Sequence, residues 1–161
     1  ISACLVGSEM CIRDRYRHFA SKAQMFEGLI EFIESTVFGL INKITEQQEN
    51  GLSQVQAVVL MLLNFAERNP GMTRVMIGDA LVNEDERLQT RMNQFIDRIE
   101  LALKQSLRIA ATQGQANEAE IAVRANLIAN TVLGHWQRYA KTGFKQNPSE
   151  HASIQIAMLL A

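Results

Sequence analysis

Tyr16-Arg17-His18-Phe19-Ala20-Ser21-Lys22 sets a phenol, a guanidinium, an imidazole and an ammonium beside the start of a helix. Arg13 and Arg15 lie just upstream, with only Asp14 opposing them. Phenol, imidazole, Lys and backbone N–H groups at a helix N-terminus all donate to phosphate oxygens, so the stretch has the chemistry of a phosphate clamp. Composition alone equally allows a solvated helix end with a chance run of charge. Ser21 followed by Gln24 is a capping-box pattern, and it predicts a long helix to about Gln47. Phe26, Ile30, Ile33, Val37, Ile41 and Ile44 recur along that helix at three-to-four spacing and mark its core stripe.

Further along, Glu49-Asn50-Gly51 reads as a stop. Ser53 and Gln56 form a second capping-box pattern, opening a helix to about Arg68. That helix is apolar nearly all round (Val55, Val58, Val59, Leu60, Met61, Leu62, Leu63, Phe65), which predicts a central position. Asn69-Pro70-Gly71 breaks it, Thr73 to Gly78 reads as a short helix and Asp79 to Asn83 as a loop or turn. Glu84 to about Thr112 is a long amphipathic helix with Leu88, Met92, Phe95, Ile99, Leu103 and Leu107 on its stripe. After a linker at 113–116, Asn117 with Glu120 caps a helix to about Lys141, striped by Ile121, Ala125, Ile128, Val132, Trp136 and Tyr139. Gly143 to Pro148 breaks it, and Ser149 opens a last helix carrying Ile154, Ala157, Met158 and Leu160.

The chain has 161 residues, enough for one domain with a sizeable core, and it is 47% hydrophobic and 20% charged. With only two Pro and scattered β-branched residues, this predicts an all-α domain. The net charge of −1 confines any basic surface to the region from Arg13 to Lys22. Cys4 and Cys11 are too few for a zinc site, and a reducing cytosol fits them. No apolar run is long enough to span a bilayer, and the N-terminus lacks a signal-peptide pattern. His135, beside Trp136, reads as a core or interface residue, and His151 lies near a terminus. Glu84, Asp85 and Glu86 open a helix, where negative charge is favourable, and Asp79 alone makes no metal site. Without a phosphate-binding Gly-rich loop, nucleophile elbow or metal-ligand spacing, the chain reads as a non-enzyme with no cofactor and no metal.

Phe32 stands apart from the core stripe of its helix. On a helical wheel it lies about 110° from the stripe centre, with Met25 and Gly39 on the same flank. Such a ridge either walls a groove for another protein or packs against a neighbouring helix, and periodicity alone leans to the second.

The quoted stretch resembles the end of the recognition helix of TetR-type transcription regulators and the first turn of the helix after it. The resemblance continues through Leu29-Ile30-Glu31-Phe32-Ile33-Glu34 and Glu67-Arg68-Asn69-Pro70-Gly71-Met72-Thr73-Arg74. It includes Arg87-Leu88-Gln89, Arg91-Met92-Asn93-Gln94 and Arg98-Ile99-Glu100. These segments are similar to the SlmA-like nucleoid occlusion branch of that superfamily. The likeness runs from about Tyr16 to Arg108 and is traceable more weakly to the C-terminus. It implies a TetR-like helical bundle whose last two long helices pair into a homodimer, through Leu127, Leu133, Trp136 and Leu159. Residues 16–22 would be the end of the recognition helix, and 23–161 a regulatory and dimerisation domain, with most of the helix-turn-helix missing. Residues 1–15 match neither the family pattern nor a helical stripe; they resemble translated sequencing-adapter sequence and read as non-native.

The resemblance further implies that Tyr16, Arg17, His18 and Lys22 contact the phosphates of double-stranded DNA, and that a cleft receives the C-terminal tail of the division protein FtsZ. Phe32, Arg68 and Asn69 keep the family's residues there. Leu40 stands where the family can have Arg, Met61 where it can have Leu and Asn64 where it can have Gly. A cytoplasmic, nucleoid-associated division inhibitor follows. The alternative within the superfamily is a ligand-responsive repressor, with Met61, Leu62, Phe65 and Phe95 around an apolar cavity. A third reading is a plain helical dimerisation module.

Overall fold

The computed structural model describes residues 21–161, which form an all-helical bundle. Its elements are α1 (Lys22–Gln47), α2 (Gly51–Arg68), α3 (Pro70–Met76), a 3-10 turn (Asp79–Leu81), α4 (Glu86–Thr112), a 3-10 turn (Glu118–Glu120), α5 (Ile121–Lys141) and α6 (Ala152–Leu160). Helix α2 packs against α1, α4, α5 and α6, the central position predicted from its nearly uniform apolarity. The stripes of α4 and α5 are buried at every position named from periodicity, and that of α1 at every position except the half-buried Ile44.

Local chemistry explains the helix starts. Ser21 caps α1, its hydroxyl accepting from the Gln24 N–H at 3.2 Å. For α2 the cap is Asn50, which accepts from the Ser53 N–H at 3.0 Å, so the helix starts two residues before the predicted Ser53 box. Pro70 opens α3 instead of only breaking α2, since the first helical position needs no N–H. Asp85 caps α4 through the Arg87 N–H at 3.0 Å, moving its start from Glu84 to Glu86. Asn117 caps the 3-10 turn that leads into α5. The last helix begins at Ala152 rather than Ser149, and its buried face is Ala152 and Ile156. Of the apolar residues named on it from sequence, Ile154, Ala157 and Met158 are exposed and Leu160 is half-buried. A nine-residue helix apolar on most sides has no periodicity to choose its face.

Two seams orient the bundle. Helices α1 and α4 lie side by side in the same direction, with Lys22–Glu84 at 2.5 Å, Glu27–Arg87 at 2.8 Å and Glu34–Arg91 at 2.6 Å joining them in sequence. Helix α2 runs opposite to α4, and their ends are tied by amides. Gln113 Oε1 accepts from the Gly51 N–H at 2.9 Å, and its Nε2 donates to the Glu49 carbonyl at 2.8 Å. One turn in, Ser106 Oγ donates to Gln54 Oε1 at 2.9 Å, a buried polar pair whose other end donates to the Gln48 carbonyl.

Gly51 is the point of closest approach. A Cβ there would lie 2.3 Å from the Ala110 nitrogen and 2.5 Å from the Ser106 carbonyl oxygen, both of them backbone. Gly51→Ala must therefore push α2 off α4, at an expected cost of about 1–3 kcal/mol. Gly39, exposed on α1 with nothing within 4 Å of its would-be Cβ, predicts the opposite sign. Gly39→Ala should gain about 0.5–1 kcal/mol from helix propensity. Urea titrations of the two variants measure both; a neutral Gly51→Ala would refute the close-packing argument.

Candidate functional site

The flank of α1 away from α4 presents Phe32, Thr36 and Leu40, each four residues from the next and so one above another. The facing side of α2 presents Met61, Asn64, Phe65 and Arg68, and the chain turns at Asn69. Together these eight residues line an open groove of about 440 Å³. Phe32 is 52% exposed, which resolves the choice left open by periodicity: its ring walls a groove instead of packing inside the bundle. Met25, placed on the same flank from the wheel, is instead buried in the core. Phe65 is buried at the groove floor.

All six residues that the sequence resemblance assigned to a peptide cleft, namely Phe32, Leu40, Met61, Asn64, Arg68 and Asn69, line this one groove. Thr36 and Phe65 were missed. Thr36 was legible, because it sits midway between Phe32 and Leu40 at helical spacing. Phe65 reads from sequence as a core or cavity residue.

The polar groups of the groove differ in freedom. Asn69 Nδ2 donates to the Phe65 carbonyl at 2.8 Å, so this amide is partly engaged in closing α2. Arg68 is exposed and has no ion pair among the described residues, leaving its guanidinium fork open to a carboxylate. Its neighbour Glu67 faces the other way. The Glu67 carboxylate accepts from the Ser149 N–H at 2.8 Å and from the Ser149 hydroxyl. The Glu67 carbonyl accepts from Tyr139 Oη at 3.0 Å. Burial, and then the nearby Glu67 charge, push the Tyr139 phenol above its ordinary value, so it stays a neutral donor. The α2 corner beside the groove is thereby anchored to the turn before α6.

At the other end of α1, Lys22 is half exposed and pairs with Glu84, its ammonium 5.9 Å from the Phe26 ring centre. Tyr16, Arg17 and His18, the other expected phosphate contacts, and the segment 1–15 with both cysteines lie outside the described residues.

Of the expected interface residues, Leu127 is exposed, and Leu133 and Leu159 are half-buried. Trp136 is fully buried within this chain, and its indole N–H donates to the Leu62 carbonyl at 3.1 Å. It is a core residue and cannot also form an exposed interface; its place on the α5 core stripe was the correct reading. The structure adds Val123 on α5 and Ile154 and Met158 on α6 as large exposed apolar side chains.

Of the four residues that a ligand chamber would need, Leu62 and Phe95 are fully buried, and Met61 and Phe65 line the surface groove. The Phe95 ring packs edge-on against Phe38, with centroids 5.5 Å apart. His135 is half-buried in a separate cleft with the exposed His151, whose imidazole lies 3.9 Å from Glu150. Among the described residues no three His, Cys, Asp or Glu side chains gather where they could hold a metal ion. No described helix is long and apolar enough to cross a membrane.

Residues 49–161 match the family of the tetracyclin repressor-like, C-terminal domain of SlmA-like proteins. The chain is 48% identical over 141 residues to the nucleoid occlusion factor SlmA of Idiomarina loihiensis, covering 87% of this chain and 72% of that protein. It is 44% identical over 147 residues to the nucleoid occlusion factor SlmA of Aliivibrio fischeri, covering 91% and 75%. The nucleoid occlusion factor SlmA of Shewanella amazonensis is 46% identical over 141 residues, covering 87% and 72%. The alignments thus extend well beyond the matched domain into α1, and with the all-helical bundle they establish that the chain belongs to the SlmA family of nucleoid occlusion factors, within the TetR-like regulators.

Proposed function

We propose that this protein is a DNA-binding nucleoid occlusion factor: a homodimer in the cytoplasm that grips chromosomal sites, captures the C-terminal tail of FtsZ and blocks division-ring assembly over the nucleoid. In this reading residues 16–22 end the recognition helix, and 23–161 form the regulatory and dimerisation domain. Tyr16, Arg17, His18 and Lys22 hold phosphates and so fix the register of the head on the duplex. Leu127, Leu133 and Leu159 contribute to the two-fold interface.

The observation that carries the proposal is the convergence of Phe32, Leu40, Met61, Asn64, Arg68 and Asn69 on one groove. Apolar walls ending at an open guanidinium suit an extended peptide with aliphatic side chains and a carboxylate. A duplex carrying several dimers would hold many grooves close together. A filament with many tails is then gripped far more tightly than any single tail, because each further contact is intramolecular.

Sedimentation of FtsZ filaments with the complete regulator tests this, with and without duplex DNA that the regulator has selected from a random pool. The pelleted FtsZ should fall most steeply when regulator and selected duplex are both present. Equal sedimentation with and without the duplex would refute the proposal.

A further inference from the structure

A second groove, of about 350 Å³, runs along the opposite flank of α1, between α1 and α4. Its apolar walls include Phe38 and Ile41 from α1 and Leu101 and Ile109 from α4. Leu101 is 49% exposed and Ile109 37%, a large uncovered aliphatic surface on an otherwise polar helix face. Arg98 sits at one end, its guanidinium carbon 3.8 Å from the centre of the Phe38 ring.

That stacking holds Arg98 in place while leaving the edge of its guanidinium open. No carboxylate lines the groove, and Arg98 has no ion pair among the described residues. The acidic residues flanking Arg98 on α4 are directed elsewhere. Asp97 lines a different cleft, with Gln89, Asn93 and Gln137, and Glu100 accepts from Asn126 of α5 at 2.9 Å. The Gln54–Ser106 pair in the groove is satisfied internally. What remains for a ligand is one preorganised cation and two aliphatic ridges, with the exposed amides of Asn42 and Gln105 beside them.

We propose that this groove docks an acidic, aliphatic peptide segment of a partner protein, distinct from the peptide of the Phe32 groove. A carboxylate pairs with Arg98, and aliphatic side chains cover Leu101 and Ile109. The register follows from helix geometry. Leu101 and Ile109 are separated by about 12 Å along α4, a distance that an extended chain covers in about four residues. Arg98 lies about 4.5 Å before Leu101, the reach of an adjacent residue. The recognised pattern is therefore an acidic residue next to an aliphatic one, with a second aliphatic residue about four positions away. Charge complementarity favours this occupant over a basic or a neutral segment.

Fluorescence anisotropy with the intact chain tests it. The probe is a fluorescein-labelled peptide with one aspartate beside a leucine and a second leucine four residues on, in a Gly/Ser background. In a Phe32→Ala, Arg68→Glu background, which disables the first groove and serves as the parent, saturable binding is expected, weakened about tenfold or more by Arg98→Glu and by Leu101→Asp. Arg98→Gln should show a smaller loss in the same direction, and thermal melting of each variant should match the parent because the substituted side chains are exposed. The proposal fails if the probe does not bind, or if the Arg98 and Leu101 variants bind as the parent does. It also fails if anionic lipid vesicles compete the probe away, since the surface would then be one for lipid.

Discussion

Trp136→Ala is expected to destabilise the fold by about 4 kcal/mol, within the usual range for truncating a buried aromatic. The side chain is fully buried on α5, and its indole N–H reaches the Leu62 carbonyl in the middle of α2. Truncation opens a large cavity where α5 meets the central helix and removes that hydrogen bond as well. A domain of this kind has a total stability of about 5–15 kcal/mol, so much of the margin disappears. Trp136→Phe fills most of the space and should lose only about 1–2 kcal/mol. The parent chain has one tryptophan, so the Ala variant must be followed by far-UV circular dichroism in urea at fixed protein concentration. A loss no larger for Ala than for Phe would show that the cavity argument is wrong.

Phe32→Ala and Arg68→Glu should each weaken binding of an FtsZ C-terminal tail peptide by about thirtyfold or more, which corresponds to about 2 kcal/mol. Phe32 offers an aromatic wall half open to solvent, and Arg68 a guanidinium without an ion-pair partner among the described residues. A peptide that buries the first and pairs with the second loses its two anchors separately. Because both side chains are exposed, neither substitution should move the melting temperature by more than the equivalent of about 0.5 kcal/mol. Isothermal titration with the tail peptide, beside a thermal melt of each variant, separates a lost anchor from a lost fold. Parental affinity in both variants would remove the groove from the functional reading.

The helices were legible from sequence wherever a long stripe left one solution. The α4 and α5 stripes are buried at every named position, and Ser21 caps α1 as expected. The failures cluster at helix starts. Asn50 and Ser53 are both competent caps three residues apart, and local pattern could not choose between them. What places the start at Gly51 is contact with the α4 backbone, a tertiary fact. The α6 face is not legible for a related reason: Ile154, Ile156, Met158, Leu159 and Leu160 surround the helix, so burial is decided by what lies opposite. In the groove, residue identities follow from family resemblance, whereas the exposure of Phe32 is set by how α1 packs beside α2, which periodicity does not encode. Trp136 shows the converse risk, since an aromatic on a dimer-forming helix is easily credited to the wrong partner.

Helix α1 carries Lys22 at its start, the Phe32 groove near its middle and the Phe38 groove beyond, with no Pro and no break over its 26 residues. Its reading frame is therefore frozen in a way that the loops at 113–117 and 143–148 are not. Inserting a single residue before Phe32 would turn everything downstream by about 100°, putting Phe32, Thr36 and Leu40 where Ile33, Val37 and Ile41 belong and swinging both grooves off their walls. Lineages of this protein should accumulate length changes in those loops while α1 tolerates none, and substitutions will be the sole route by which its two flanks diversify.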